Sequence, residues 1–96
     1  MGAQLDYRVY EDVDKQEAEK LFDIAQRESE HRDGTSYSGA IGVMPKGVKW
    51  SNHACDNEEE AVRHIEYAHN KWDKAIGVEV IKDATECYVI GGWCSS

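Results

Sequence analysis

Hydrophobic positions along this chain change period several times, and the changes mark its elements. Leu5, Tyr7 and Val9 alternate with Asp6 and Arg8, the two-residue rhythm of a short strand with one wet face. Glu11 and Asp12 close it. Asp14, followed three residues later by Glu17, makes a capping-box-like start, and Ala18, Leu21, Phe22 and Ala25 then recur at helical spacing. A helix is predicted from there to about Ser29 or His31, stopped by Asp33-Gly34, where the chain tolerates a left-handed backbone.

The stretch SYSGAIGVM, Ser36 to Met44, predicts a second strand. Tyr37, Ile41 and Val43 share one face with Gly39, while Ser36, Ser38, Ala40 and Gly42 make a stripe of very small side chains on the other. Such a stripe permits close approach, most often by a packed helix of the same domain and less often by a ligand or a partner strand. Met44-Pro45-Lys46-Gly47 suits a type I turn, so a hairpin into a strand with Val48 and Trp50 is expected.

The clearest instruction lies in Asp56 to Glu79. Asp56 or Asn57 is placed to cap a helix whose first turn carries Glu58, Glu59 and Glu60, where the helix dipole favours negative charge. Ala61, Ile65, Ala68 and Trp72, with Val62 and His69 beside them, form its apolar stripe. Ile76, Val78 and Val80 then alternate as a strand. After a polar turn at Lys82 to Thr85, Cys87, Val89 and Trp93 alternate with Tyr88, Ile90 and Cys94 in a last strand, with Gly91-Gly92 as a bulge or bend.

The phrase AIGV occurs twice, at Ala40 to Val43 and Ala75 to Val78, each time in the strand expected after a helix. Two β-α-β halves follow. The expected fold is α+β: a ferredoxin-like β-α-β-β-α-β arrangement with an added C-terminal strand. Both helices would cover one face of the sheet, and the other face would stay partly open to a partner. With 96 residues and no low-complexity tract, residues 1–96 are expected to form one domain, as a monomer or a homodimer.

Charge narrows the partners. The formal net charge is −8. Residues 1–35 hold ten acids and five bases, net −5, and residues 53–73 six acids and two bases, net −4, while residues 36–52 carry only Lys46 and Lys49. Phosphate backbones are bound through Lys and Arg, so direct nucleic-acid binding is not expected; a host protein with a basic surface matches better. No apolar run approaches a membrane span and Met1 to Tyr10 lacks a signal-peptide pattern, so a cytoplasmic address without membrane attachment is expected. Three widely spaced cysteines agree with a reducing compartment.

Candidate chemistry is sparse. His53, Cys55, Cys87 and Cys94 are zinc-ligand types, but their spacing matches no zinc knuckle, so neither a metal nor another cofactor is expected. Cys55 near a helix start, with His53 or His64 as base, is the candidate for a cysteine-dependent enzyme; three adjacent glutamates oppose its activation, and the expectation is a protein with no catalytic residue. Gly34 to Gly39 resembles a phosphate cradle in composition alone, since it lacks a Walker lysine and enters a strand. Its hydroxyls still make Arg32, Thr35, Ser36, Ser38, Lys46 and Lys49 the expected binding residues for a small anionic, nucleotide-like ligand. Glu58, Glu59 and Glu60, with Trp50 and Trp93 as aromatic anchors, are the expected partner-binding residues.

From DGTSYSGAIG through the EEEA helix to HNKWDKAIGVEV, roughly residues 33–80, the chain resembles small uncharacterised proteins of phages and other mobile elements. That resemblance implies an inhibitor of a host system, acting by occupying a binding surface or by holding a signal molecule. The leading expectation is therefore a small acidic, non-enzymatic inhibitor of a host nucleic-acid enzyme or defence protein.

Overall fold

A computed structural model describes residues 2–34, 38–82 and 85–96. Strand β1 (Ala3–Glu11) leads to helix α1 (Lys15–Asp33), then strand β2 (Val48–Cys55), helix α2 (Glu58–Ala68), strand β3 (Ala75–Ile81) and strand β4 (Glu86–Ser95). The α+β class holds. The expected succession of elements is kept, except that a single 3-10 turn, Ile41–Val43, stands where the second strand was predicted. One mixed four-stranded sheet results, in the order β1-β4-β3-β2. β4 runs antiparallel to both β1 and β3, and β3 is parallel to β2, so β1, β2 and β3 all point the same way.

Both helices are capped as the sequence implies. Asp14 accepts the Glu17 amide at 2.7 Å and Asn57 the Glu60 amide at 2.8 Å, each satisfying an orphan donor of a first turn. The buried stripe of α1 is Ala18, Phe22, Gln26 and Ser29, with Leu21 and Ala25 at its half-buried border. That of α2 is Ala61 and Ile65. The helix stops four residues before Trp72, which stands 60% exposed in the following turn at φ 82, and not in the stripe. His69 is buried instead. Its Nδ1 accepts the Trp93 amide at 2.9 Å, which leaves Nε2 to donate to the Asp73 carbonyl at 3.1 Å.

The two helices cover opposite faces of the sheet, contrary to the expected one-sided arrangement. Successive residues of β4 show it: Tyr88 and Ile90 join Phe22 and Ala18 of α1, while Cys87 and Val89 join Ile65 and Ala61 of α2. Connectivity gives the reason. The chain crosses from β1 at one edge to β2 at the other, then steps back to β3, and two crossovers of the same hand in opposite directions must use opposite faces. Each face therefore carries a helix, where one was expected to stay partly open.

The predicted second strand fails because its backbone groups are claimed by side chains. Asp6 takes the Ile41 amide at 2.9 Å, Ser29 takes the Gly42 amide at 3.1 Å, and the Gln26 amide group donates to the carbonyls of Ile41, Met44 and Pro45. The small-residue stripe does what its composition implies. A side chain at Gly42 would meet Ser29 and the Glu30 amide, so glycine lets this segment lie against α1. Ser36 and Tyr37 of the same prediction lie outside the described residues. Because β2 pairs with β3, the expected hairpin at Met44 to Gly47 is absent too. At Gly91-Gly92 the pairing with β1 runs without a register shift; the irregularity lies instead between Trp50 and Ala54 of β2.

Candidate interaction surface

β1 and β2 form the two edges of the sheet, and the edge at β1 gathers the most features. Antiparallel pairing with β4 sends the amide and carbonyl of alternate β1 residues toward the open side. At Tyr7 these outward groups are held by neighbouring side chains. The Asp6 carboxylate accepts the Tyr7 amide at 3.1 Å, the Arg8 guanidinium donates to the Tyr7 carbonyl at 2.9 Å, and the two side chains pair at 3.0 Å. Asp6 also holds Ile41, so one carboxylate ties the strand edge to the loop after α1.

A cleft flanks this strand on each face. On the α2 side, a groove of about 420 Å³ has Tyr7, Val9 and Val62 as its floor and Glu58, Glu59, Glu66 and Arg63 as its rim. Tyr7 is 39% exposed there. On the α1 side, a polar cleft of about 690 Å³ is lined by Asp6, Arg8, Arg32, Asp33 and Ser38 among others.

The groove draws part of its charge pattern from the carboxyl ends of the strands. Lys82, just after β3, donates to Glu11 at 2.7 Å and to Glu58 at 2.9 Å. This ammonium holds the Glu11 carboxyl below its usual range, and the hydrogen bonds to Glu11 and Glu58 raise the lysine in return. Glu58 is thus partly neutralised within the chain. Glu59 contacts Arg63 at 3.4 Å in an exposed i,i+4 pair, an arrangement of small energetic weight. Glu60 belongs elsewhere, accepting the Asp56 amide at 3.3 Å and lining a shallow cleft with His53, Cys55 and His64.

Of the expected aromatic anchors, Trp50 is half-buried on the α1 side. Its indole donates to Glu19 at 3.2 Å, and it meets Tyr88 edge-on with ring centroids 5.5 Å apart. Trp93 is half-buried on the α2 side, donating to the Glu66 carbonyl at 2.9 Å. Among the described residues, the exposed aromatic rings are Tyr67, Trp72 and Tyr7.

The expected anion-binding residues are brought together only in part. Arg32 and Ser38 share the polar cleft, and Arg8, which sequence reasoning passed over, joins them. Lys46 pairs with Glu30 at the end of α1, and Lys49 lines a small cleft with Trp50 and Ser51 on β2. Thr35 and Ser36 lie outside the described residues. Arg32 and Asp33 pair at 3.1 Å, raising the guanidinium and lowering the carboxyl, so an incoming anion would have to compete with a carboxylate already in place.

All three cysteines are free and buried. Burial, with Glu60 and Asp56 nearby, raises the Cys55 thiol, and burial pushes Cys94 up to about 12. Cys55 and Cys87 belong to the α2 side of the sheet and Cys94 to the α1 side, which divides the conceivable zinc set of His53, Cys55, Cys87 and Cys94. Ligand atoms of Glu11, Glu58 and Cys87 do lie within 4.8 Å of one another, but Lys82 already sits on both carboxylates. His53 and His64 stack with centroids 4.9 Å apart, and His64 meets the Ser51 hydroxyl at 3.1 Å. With thiols both covered and held protonated, the native protein is expected to react with a disulfide reagent near neutral pH far more slowly than the denatured chain, which should titrate all three. Rapid native reaction at Cys55 would contradict this assignment.

Comparison with protein-family models, with curated proteins and with solved structures returns no match to this chain. Sequence reasoning named Glu58 and Glu59 but missed Tyr7, Val9, Glu66 and the Asp6–Arg8 pair. The signal available was the alternation of Leu5, Tyr7 and Val9 with Asp6 and Arg8, whose value depends on β1 being an edge. Among the described residues, no helix is long and apolar enough to cross a membrane.

Proposed function

We propose that this protein is a small acidic, non-enzymatic binding module that occupies a basic surface of a partner protein through the groove between β1 and α2. The observation that carries the reading is that groove: an apolar floor of Tyr7, Val9 and Val62 with a rim of three acids, Glu58, Glu59 and Glu66, and one base, Arg63. An apolar centre inside a charged rim is the common anatomy of protein interfaces, and charge complementarity sets both encounter rate and partner choice. The overall charge of −8 acts in the same direction. In its fuller form the partner is a cytoplasmic host nucleic-acid enzyme or defence protein, inhibited by occupancy, as the likeness to phage and mobile-element proteins implies.

Glu59 and Glu66 test the proposal best, since Glu58 also serves Lys82 within the chain. The double variant Glu59→Lys, Glu66→Lys is expected to keep the fold and to lose any partner that the unaltered protein captures and that 0.5 M salt releases. Capture and quantitative mass spectrometry compare the two. Retention of the same partner by the charge-reversed protein would sink the proposal.

A further inference from the structure

Resting on that reading, we propose that the open edge of β1 receives an extended, basic segment of the partner as a fifth strand of the sheet. Three independent observations converge on this edge. The first is topological: β1 is a nine-residue outer strand whose outward backbone groups, at Leu5, Tyr7 and Val9, follow from its alternate pairing with β4.

The second is the pair of clefts. Side chains of an added strand alternate between the two faces of the sheet, and a groove lies beside β1 on each: the Glu-rimmed groove against α2 and the Asp6, Arg8, Arg32, Asp33 cleft against α1. Strand addition uses this division of labour, with main-chain hydrogen bonds for affinity and alternate side-chain pockets for specificity. Lysine or arginine at alternate positions would meet Glu59 and Glu66.

The third is the Asp6–Arg8 pair itself. Its two side chains satisfy the Tyr7 amide and carbonyl in the way a neighbouring strand would, covering the centre of the edge in the free protein. The pair is half-buried, with both side chains still partly in solvent, so the backbone of an added strand can reach and replace its contacts at Tyr7. It also explains why the occupant is not a second copy of this chain: pairing two such edges would set one acidic rim against another in a protein of charge −8.

The test uses the intact protein and an acetylated, amidated heptapeptide of alternating lysine and valine. A second peptide of the same sequence carries N-methyl groups on every internal amide, preserving charge and side chains while removing the donors. The unmethylated peptide is expected to bind, to slow amide exchange at Leu5, Tyr7 and Val9, and to bind about tenfold more tightly than its methylated form. Tyr7→Pro, which deletes the central outward amide but no ladder bond, should lose about as much, while Tyr7→Val should lose less. Equal binding of both peptides, with exchange at β1 unchanged, would overturn strand addition and leave the groove reading intact. Failure of both peptides to bind at low salt would overturn both. Peptide-induced or spontaneous self-association through β1 would overturn the choice of occupant.

Discussion

Replacing Phe22 with alanine is expected to cost about 3–5 kcal/mol of stability, near the upper end for a single core truncation. Phe22 is fully buried and, among the described residues, is the largest side chain so completely enclosed; its cluster joins α1 to Ile41, Met44, Tyr88 and Ile90. Small domains have stabilities of about 5–15 kcal/mol, so the variant would lose a large part of its margin. Its neighbours are fixed on one side by the sheet and on the other by the Gln26 hydrogen bonds to the 3-10 segment, which limits collapse into the cavity. Urea unfolding followed by far-ultraviolet dichroism measures the loss. A cost below about 1 kcal/mol would mean that α1 does not dock where described.

Gly91→Val should have the other large effect, and a local one. A side chain at Gly91 would overlap the Asp6 carbonyl and the Cβ of Tyr7, its register partner across the β1–β4 ladder. Neither neighbour is the end of a flexible side chain, so β1 itself must move. Overpacking of this kind costs about 1–3 kcal/mol, and here it falls on an edge strand held by one partner. The expected result is rapid amide exchange throughout β1 with β3 and the inner part of β4 still protected, together with loss of any binding that depends on the groove. Wild-type protection along β1 in the variant would contradict the pairing. Of the glycine pair that reads as a bulge in the sequence, Gly91 is where two strands come too close for a side chain, and Gly92 leaves room for the His69 ring.

What the sequence made legible was local, and what it hid was global. Both helices could be read because their caps and apolar stripes are encoded within a few residues, at Asp14 with Glu17 and at Asn57 with Glu58 to Glu60. The second predicted strand was misread because its competitors, Asp6, Gln26 and Ser29, are distant in sequence and buried or half-buried in the fold. The repeated tetrapeptide AIGV makes the point directly: from Ala40 it enters a 3-10 turn, and from Ala75 it is the start of β3. Identical residues took two conformations because different partners reached their amides. Buried Gln26 and Ser29 were also invisible to a pattern built on apolar residues, although they continue the α1 stripe at spacings of four and three.

The position of the helices could not be read at all, since it depends on strand order. Composition gave the acids of the candidate groove but not their company. Glu66 joins Glu58 and Glu59 because α2 lies across β1, whereas Glu60, adjacent in sequence, turns to the far side of the helix.

Because the sheet separates two apolar clusters that share no side chain, the molecule has two reporters for two events. Trp50 is lodged with one cluster and Trp93 donates to the helix that covers the other. Proteins carrying a single tryptophan at either place would show by fluorescence whether heat or denaturant lifts the helices together or in turn. Divergence of the two traces would identify which layer the sheet can do without.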